Sequence, residues 1–244
     1  MKYSKVLLVE PDFFDVVDCR NPHMKQSVAV DKTRARQQWL GLASVYQDLQ
    51  AGGDLDEVAF LRGVPGLIDF VFCANPAVTW LSGNTKKAFM SSMRHSPRHA
   101  EVSHIKRFLE TNGYQTTTCS TGFFEGTGDC IWQPNGKVLF CGHGYRTDVT
   151  GLNQFHKHIK NESFNVVDLE LCDPRFYHLD TCFMPINEST VVIYDKAFTQ
   201  NALSKITKHF KDVETVSEKE ALNFALNGHI IRTLPRRKDV CIIQ

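Results

Sequence analysis

The 244-residue sequence lacks several features that would place a protein in a class at once. None of its eight cysteines (positions 19, 73, 119, 130, 141, 172, 182 and 241) forms a C-x-x-C pair. A zinc ribbon or a tightly spaced disulfide framework is therefore not indicated. No apolar run reaches the roughly 18 residues of a membrane-spanning helix. The opening MKYSKVLLVEPDFF meets acidic residues too soon for a secretory signal. Charge of one sign is also scarce: 28 Lys and Arg against 27 Asp and Glu leave +1, which gives no global attraction to nucleic acid or an anionic surface. These absences predict a cytoplasmic chain with reduced thiols and no nucleic-acid partner. No glycine-rich nucleotide motif or metal-ligand set stands out, so neither cofactor nor metal is expected. His156 and His158 stand two apart in a helical pattern, where side chains diverge, and are not a metal pair.

What is present alternates short apolar runs with helical patterns, the signature of an α/β protein. KVLLVEP and EVAFL read as strands. TRARQQWLGLASVYQDLQAGG reads as a helix with Trp39, Leu42, Tyr46 and Leu49 on one face and Gly52 at its end. LIDFVFCANPAVTW reads as strand, and EVSHIKRFLETNG as a helix stopped by Gly113. DCIWQPNGKVLFCG predicts a hairpin around Asn135-Gly136, HLDTCFMPINESTVVIYD a second one, and TQNALSKITKHF a helix. A period runs through these elements. Asn75, Asp129, Asp180 and Asn227, read as polar strand ends, recur at spacings of 54, 51 and 47 residues. Such spacing suggests modules that each offer one polar strand end to a common centre. About four modules would fill residues 1–227 as a single domain, leaving 228–244 as a divergent basic tail.

Candidate chemistry clusters at the same places. FFEGTGD sets Glu125 and Asp129 on either side of Gly-Thr-Gly; in isolation the plainer reading is a bulge with two solvated carboxylates. On a strand, HLD would project His178 and Asp180 from one face, and a carboxylate there can tune the imidazole. A satisfied structural histidine is the alternative. In GHGYRTD, Arg146 could clamp a carboxylate or simply pair with Asp148. MRHSPRHAE offers Arg94 and Arg98 as carboxylate ligands or as a solvated stretch. Two acids, a histidine and arginines together suit a small zwitterion with a cationic head.

EPDFFDV, NPHM, FVFCANPAV, MRHSPRHAE, FFEGTGDCIW, GHGYRTD and above all DPRFYHLDTCFMP resemble the amidinotransferase and dimethylarginine dimethylaminohydrolase family. The matches run in family order over about residues 6–227. The resemblance implies an α/β-propeller (pentein) fold, with ββαβ modules about a pseudo-fivefold axis and the site at its centre. It also implies attack of a cysteine thiolate on the guanidinium carbon of an arginine-like substrate, with hydrolysis of the thiouronium intermediate. Carried over by position, His178 is the general acid/base and Glu125 the acidic member of the catalytic set. Asp129 and Asp180 become guanidinium-side or supporting carboxylates, and Arg94 and Arg146 bind the substrate carboxylate. Asn75 departs from the family pattern by putting an amide where an acid is usual, which weakens dimethylarginine itself as substrate. By the same resemblance Cys182 is a packing residue.

The family nucleophile lies in a closing module that GHIIRTLPRRKDVCIIQ does not resemble, so the final module reads as truncated. An open ring of sheets would expose strand edges through which the chain could oligomerise. Cys241 carries three readings. It is a relocated nucleophile, activated by the adjacent basic run. It is a prenylation site, since CIIQ fits C-a-a-X behind Arg236, Arg237 and Lys238 and would hold the protein at the cytosolic face of a membrane. Or it is an accident of a frameshifted end. The first two exclude each other, because a prenylated sulfur cannot attack.

Overall fold

A computed structural model describes residues 5–24, 29–232 and 239–243, except for the side chains of residue 232 and of the last segment. Arg236, Arg237, Lys238 and the thiol of Cys241, with the readings attached to them, lie outside the described residues. The chain divides into two compact units, Met1–Cys73 with Ile230–Cys241 and Ala74–His229 with Ile242–Gln244.

In the first unit, strand β1 (Lys5–Val9) pairs in parallel with β2 (Glu57–Leu61), Lys5 opposite Glu57 and Val9 opposite Leu61. Helix α1 (Lys32–Ala51) makes the crossover. The Asp31 side chain caps its first turn by accepting from the Arg34 N–H, and the Gly52 N–H closes its last by donating to the Asp48 carbonyl. Its inward face is the expected one: Tyr46 is buried beside Ala43, and Trp39 meets Phe60 of β2 edge-on at 5.7 Å. LIDFVFC is not strand. Residues 64–72 fold as successive turns, with Leu67, Phe70 and Phe72 N–H groups donating to Val64, Leu67 and Asp69 carbonyls. Local bonds three residues back have taken the partners a sheet would need, so strand begins only at Ala77.

The second unit repeats one pattern three times. β3 (Ala77–Ser82) and β4 (Thr85–Met90) pair antiparallel, α2 (His99–Thr111) crosses over, and β5 (Tyr114–Thr118) joins β4 in parallel. After a single helical turn, α3 (Gly126–Asp129), the pattern returns as β6 (Cys130–Trp132), β7 (Val138–His143), α4 (Val149–Ile159) and β8 (Asn165–Glu170). It returns again as β9 (Phe183–Pro185), β10 (Thr190–Ile193), α5 (Gln200–His209) and β11 (Asp212–Thr215). Both predicted hairpins are present, the first turning at Gly136 with φ +70°. Short helix α6 (Glu218–Leu222), closed by a Ser217–Glu220 capping box, leads to β12 (Gly228–Arg232). β12 and β13 (Asp239–Ile243) form a two-stranded sheet, in the stretch read from sequence as a tail.

Buried phenylalanines join consecutive modules of this unit. Phe89 of β4 lies 5.1 Å from Phe124 and 5.2 Å from Phe155 of α4. Phe140 of β7 lies 5.0 Å from Phe183 and 5.3 Å from Phe210. Each such ring is withdrawn from water, stabilising the unit by about 1.5–3 kcal/mol on area alone.

The polar marks of the period do not end strands. Asn75 lies in a turn, Asp129 closes α3, Asp180 lies in a 3-10 turn over Leu179–Thr181 and Asn227 follows α6. Each stands just ahead of a strand, the first three before the opening strands of the repeated pattern and Asn227 before β12. HLD is therefore not extended throughout: the alternation argument that put His178 and Asp180 on one face does not apply, because the chain curls after His178.

Candidate functional site

Glu125 is placed by its neighbours in sequence. Phe124 and Ser92 exchange two backbone hydrogen bonds of 3.0 Å, bringing the start of α3 alongside the segment that carries Arg94. Gly126 follows with φ +44°, and a β-carbon there would stand 2.5 Å from the Asn75 carbonyl and 2.6 Å from the Ala77 nitrogen. At Gly128 a β-carbon would come within 2.2 Å of Asn75 Nδ2. The glycines of FFEGTGD thus admit the Asn75 segment. The reading of two solvated carboxylates does not hold: Glu125 is 0% and Asp129 1% exposed.

Two side chains and one backbone N–H bond the Glu125 carboxylate, and Asn75 stands beside them. Glu125 Oε2 accepts from His178 Nε2 at 2.7 Å and from Arg146 Nη1 at 3.1 Å, while Oε1 accepts from the Arg94 N–H at 2.9 Å. Asn75 Nδ2 stands 3.4 Å from His178 Nε2. Arg146 does not pair with Asp148, whose carboxylate instead caps α4 at the Gly151 N–H. The Arg146 guanidinium lies 4.6 Å over the Tyr177 ring, and that of Arg94 4.6 Å over Phe123. Arg94 Nε donates to the Arg146 carbonyl at 3.3 Å.

Asp129 holds this arrangement together. Oδ1 accepts from the Leu179 N–H at 3.1 Å, and Oδ2 from the Thr147 N–H at 3.1 Å and its hydroxyl at 2.7 Å. The same hydroxyl accepts from the Glu125 N–H at 3.0 Å. Asn227 Nδ2 donates to the Asp180 carbonyl at 3.2 Å. All four marks of the period therefore touch the segment His178–Asp180, or lie in it. Arg98 is neither solvated nor a free carboxylate ligand: it is buried in an ion pair with Glu101. Sequence reasoning missed Thr147, Glu101 and the stacking rings of Phe123 and Tyr177. The i,i+3 spacing of Arg98 and Glu101 was a usable signal; a threonine beside an arginine carries none.

The electrostatics separate the two central groups. Burial alone would push the Glu125 carboxyl up, but the hydrogen bond and charge of His178, then Arg146 and the Arg94 N–H, hold it well below the usual carboxylate range. Burial disfavours the His178 cation, yet Asp129, Glu125 and Asp180 outweigh it and raise the imidazole above its usual value. The cluster therefore favours an imidazolium against a carboxylate. Burial raises Asp129, and pushes half-buried Asp180 up to about 6.

Among the described residues, the thiol bonded to this cluster is that of Cys182, whose Sγ approaches the His178 carbonyl at 3.8 Å. It is fully buried, and burial raises it well above the ordinary thiol range; it packs rather than reacts. No group of three or more His, Cys, Asp or Glu side chains among the described residues is placed to hold a metal ion.

Residues 18–243 match the model of the family described as N,N dimethylarginine dimethylhydrolase, eukaryotic. The chain is 33% identical over 227 residues to the bifunctional arginine dihydrolase/ornithine cyclodeaminase AgrE of Nostoc sp., covering 91% of this chain and 30% of that protein. It is 31% identical over 222 residues to N(G),N(G)-dimethylarginine dimethylaminohydrolase of Mycobacterium tuberculosis, covering 91% and 68%. Among solved structures, the product-bound N-terminal domain of the cyanobacterial arginine dihydrolase ArgZ superposes with a TM-score of 0.83 at 28% identity, covering 92% of this chain and 79% of that one. The chain thus spans about a third of the bifunctional relatives it matches. A family match over nearly the whole sequence, on a fold of repeated ββαβ modules, leads to one conclusion: this chain belongs to the dimethylarginine dimethylaminohydrolase family and has its pentein, α/β-propeller fold.

Proposed function

We propose that the protein hydrolyses a C–N bond of an arginine-like guanidino substrate, with His178 and Glu125 as catalytic residues. The observation that carries this reading is the buried 2.7 Å contact between His178 Nε2 and Glu125 Oε2, with Arg146 on the same oxygen. A guanidinium is a poor electrophile, so its attack by a thiolate needs an oriented carbon and a protonated leaving amine. A protonated His178 supplies that proton. The neutral imidazole then takes a proton from water, which releases the ureido product and the thiol. Asn75, Asp129 and Asp180 bound the guanidino end, while Arg94 and Arg146 serve the substrate carboxylate. Arginine is the first substrate to test, because an amide stands at Asn75 and the related AgrE and ArgZ are named as arginine dihydrolases.

The nucleophile in this reading is Cys241. The second reading, a family member that binds a guanidino ligand without turnover, is favoured by the burial and raised pKa of Cys182, the thiol at the described cluster. In that reading Cys241 is free to carry a prenyl group, with the basic residues before it supporting membrane contact. The test is ureido product with its leaving amine, ammonia from arginine and methylamine or dimethylamine from its methylated forms, comparing wild type with Cys241→Ala. Product that vanishes in the variant supports the thiol mechanism. Product that persists moves the nucleophile elsewhere. Arginine bound by calorimetry with no product from either protein supports the second reading, and mass spectrometry of the C-terminal peptide then decides prenylation.

A further inference from the structure

Arg98 and Glu101 stand near the start of α2, 4% and 1% exposed. Arg98 Nε lies 3.1 Å from both Glu101 oxygens, and Nη2 donates to Oε2 at 2.8 Å. A buried ion pair seldom offsets its own desolvation, so what else it holds matters. Nη1 of Arg98 donates to Asn75 Oδ1 at 3.3 Å. We propose that Arg98 and Glu101 are positioning residues that fix which end of the Asn75 amide faces His178, and thereby bias where the His178 proton resides. The proposal rests on the reading of His178 and Glu125 as the catalytic pair.

The orientation follows from donor chemistry. A guanidinium has only donors, so the oxygen of Asn75 must turn to Arg98 and its NH2 end to the opposite side, 3.4 Å from His178 Nε2. The absent β-carbon of Gly128 leaves the space in which that NH2 sits. His178 Nε2 is thus held between an acceptor, Glu125 Oε2, and a donor, Asn75 Nδ2. With its proton on Nε2, the ring bonds Glu125, and the Asn75 N–H groups stay directed at any acceptor in the site. Without that proton, Asn75 can donate to the bare nitrogen. A turned amide would do the reverse, its oxygen accepting from Nε2–H and stabilising the imidazolium. The Arg98 contact therefore opposes protonation of His178 that the surrounding carboxylates favour. Those are Glu125, Asp129 and Asp180; Arg146, bonded to Glu125, acts against them, and Cys182 lies at the His178 carbonyl.

The test uses the whole chain and reads the ring rather than turnover. The double variant Arg98→Gln, Glu101→Gln removes both charges without stranding a buried carboxylate. The His178 titration is followed by 15N NMR, with His178→Asn to assign the signal. The expected result is an upward shift of the His178 pKa by about half a unit to one unit, the scale of one hydrogen bond. In an Asn75→Ala background the same pair of substitutions should produce no shift. An unchanged titration in the folded variant overturns the proposal, as does an equal shift without Asn75. Should the double variant not fold, Arg98→Met with Glu101→Leu, which fills the space with apolar atoms and leaves no donor at Asn75, enters the same comparison with the same outcomes. Because the ring nitrogen is observed directly, failure to find turnover would count against the proposed activity and leave this result readable.

Discussion

At the scale of single residues, the site is a set of shifted proton equilibria. Glu125 is held below its usual 4.5, so its contribution to stability is present above about 4.5 and is lost as pH falls through its lower folded value. His178 is raised above 6.5, so its contribution is fully present below about 6.5 and is lost as pH rises through its higher folded value. Asp180, pushed by burial to about 6, acts in the same direction as His178, since its folded form holds a proton longer than the unfolded chain does. The thermal midpoint should therefore be higher near pH 6 than near pH 9, and His178→Asn should flatten that alkaline slope; a scan across pH checks both. If the proposed chemistry is correct, His178→Asn should also lower kcat by about 100-fold or more, the ordinary weight of a general acid. Steady-state ammonia release measures it.

At the scale of elements, glycines separate positions that look alike in the sequence. Gly126 has no room for a side chain, with backbone atoms 2.5 and 2.6 Å from where its β-carbon would lie. Gly126→Ala should destabilise by about 1–3 kcal/mol and displace Glu125. Gly41 in α1 has nothing within 4 Å, and Gly41→Ala should instead stabilise by about 0.5–1 kcal/mol through helix propensity. Urea titration of the two variants should move the midpoint in opposite directions. Helices and hairpins were legible because periodicity and turn chemistry act over a few residues: Asn135-Gly136, the inward face of α1 and the Gly113 stop all appear where expected. LIDFVFC and HLD were not, because apolar content and alternation cannot reveal that local turn bonds displace the sheet.

At the scale of the molecule, the modules of the second unit cohere through aromatic joints rather than through one continuous sheet. Phe140 is 0% exposed and meets Phe183 and Phe210 of the following module. Phe140→Ala should cost about 3–5 kcal/mol, the usual range for deleting a buried ring, seen as a lower urea midpoint. The sequence period of Asn75, Asp129, Asp180 and Asn227 anticipated the repeat. It misassigned these residues to strand ends, whereas each precedes a strand and touches the His178–Asp180 segment or lies in it.

The sequence alone determined the repeat, several of its strands and helices, and the residue types available at the centre, because these depend on short-range pattern and on recognisable motifs. Which of those residues meet was decided by the tertiary structure. Only packing could bury Glu125 and Asp129, set His178 against Glu125 instead of Asp180, and turn Arg98 from an exposed candidate into the partner of Glu101 and Asn75. Apart from Arg98 and Glu101, whose i,i+3 spacing is local, these contacts join residues 21 to 53 positions apart, and no local pattern records them.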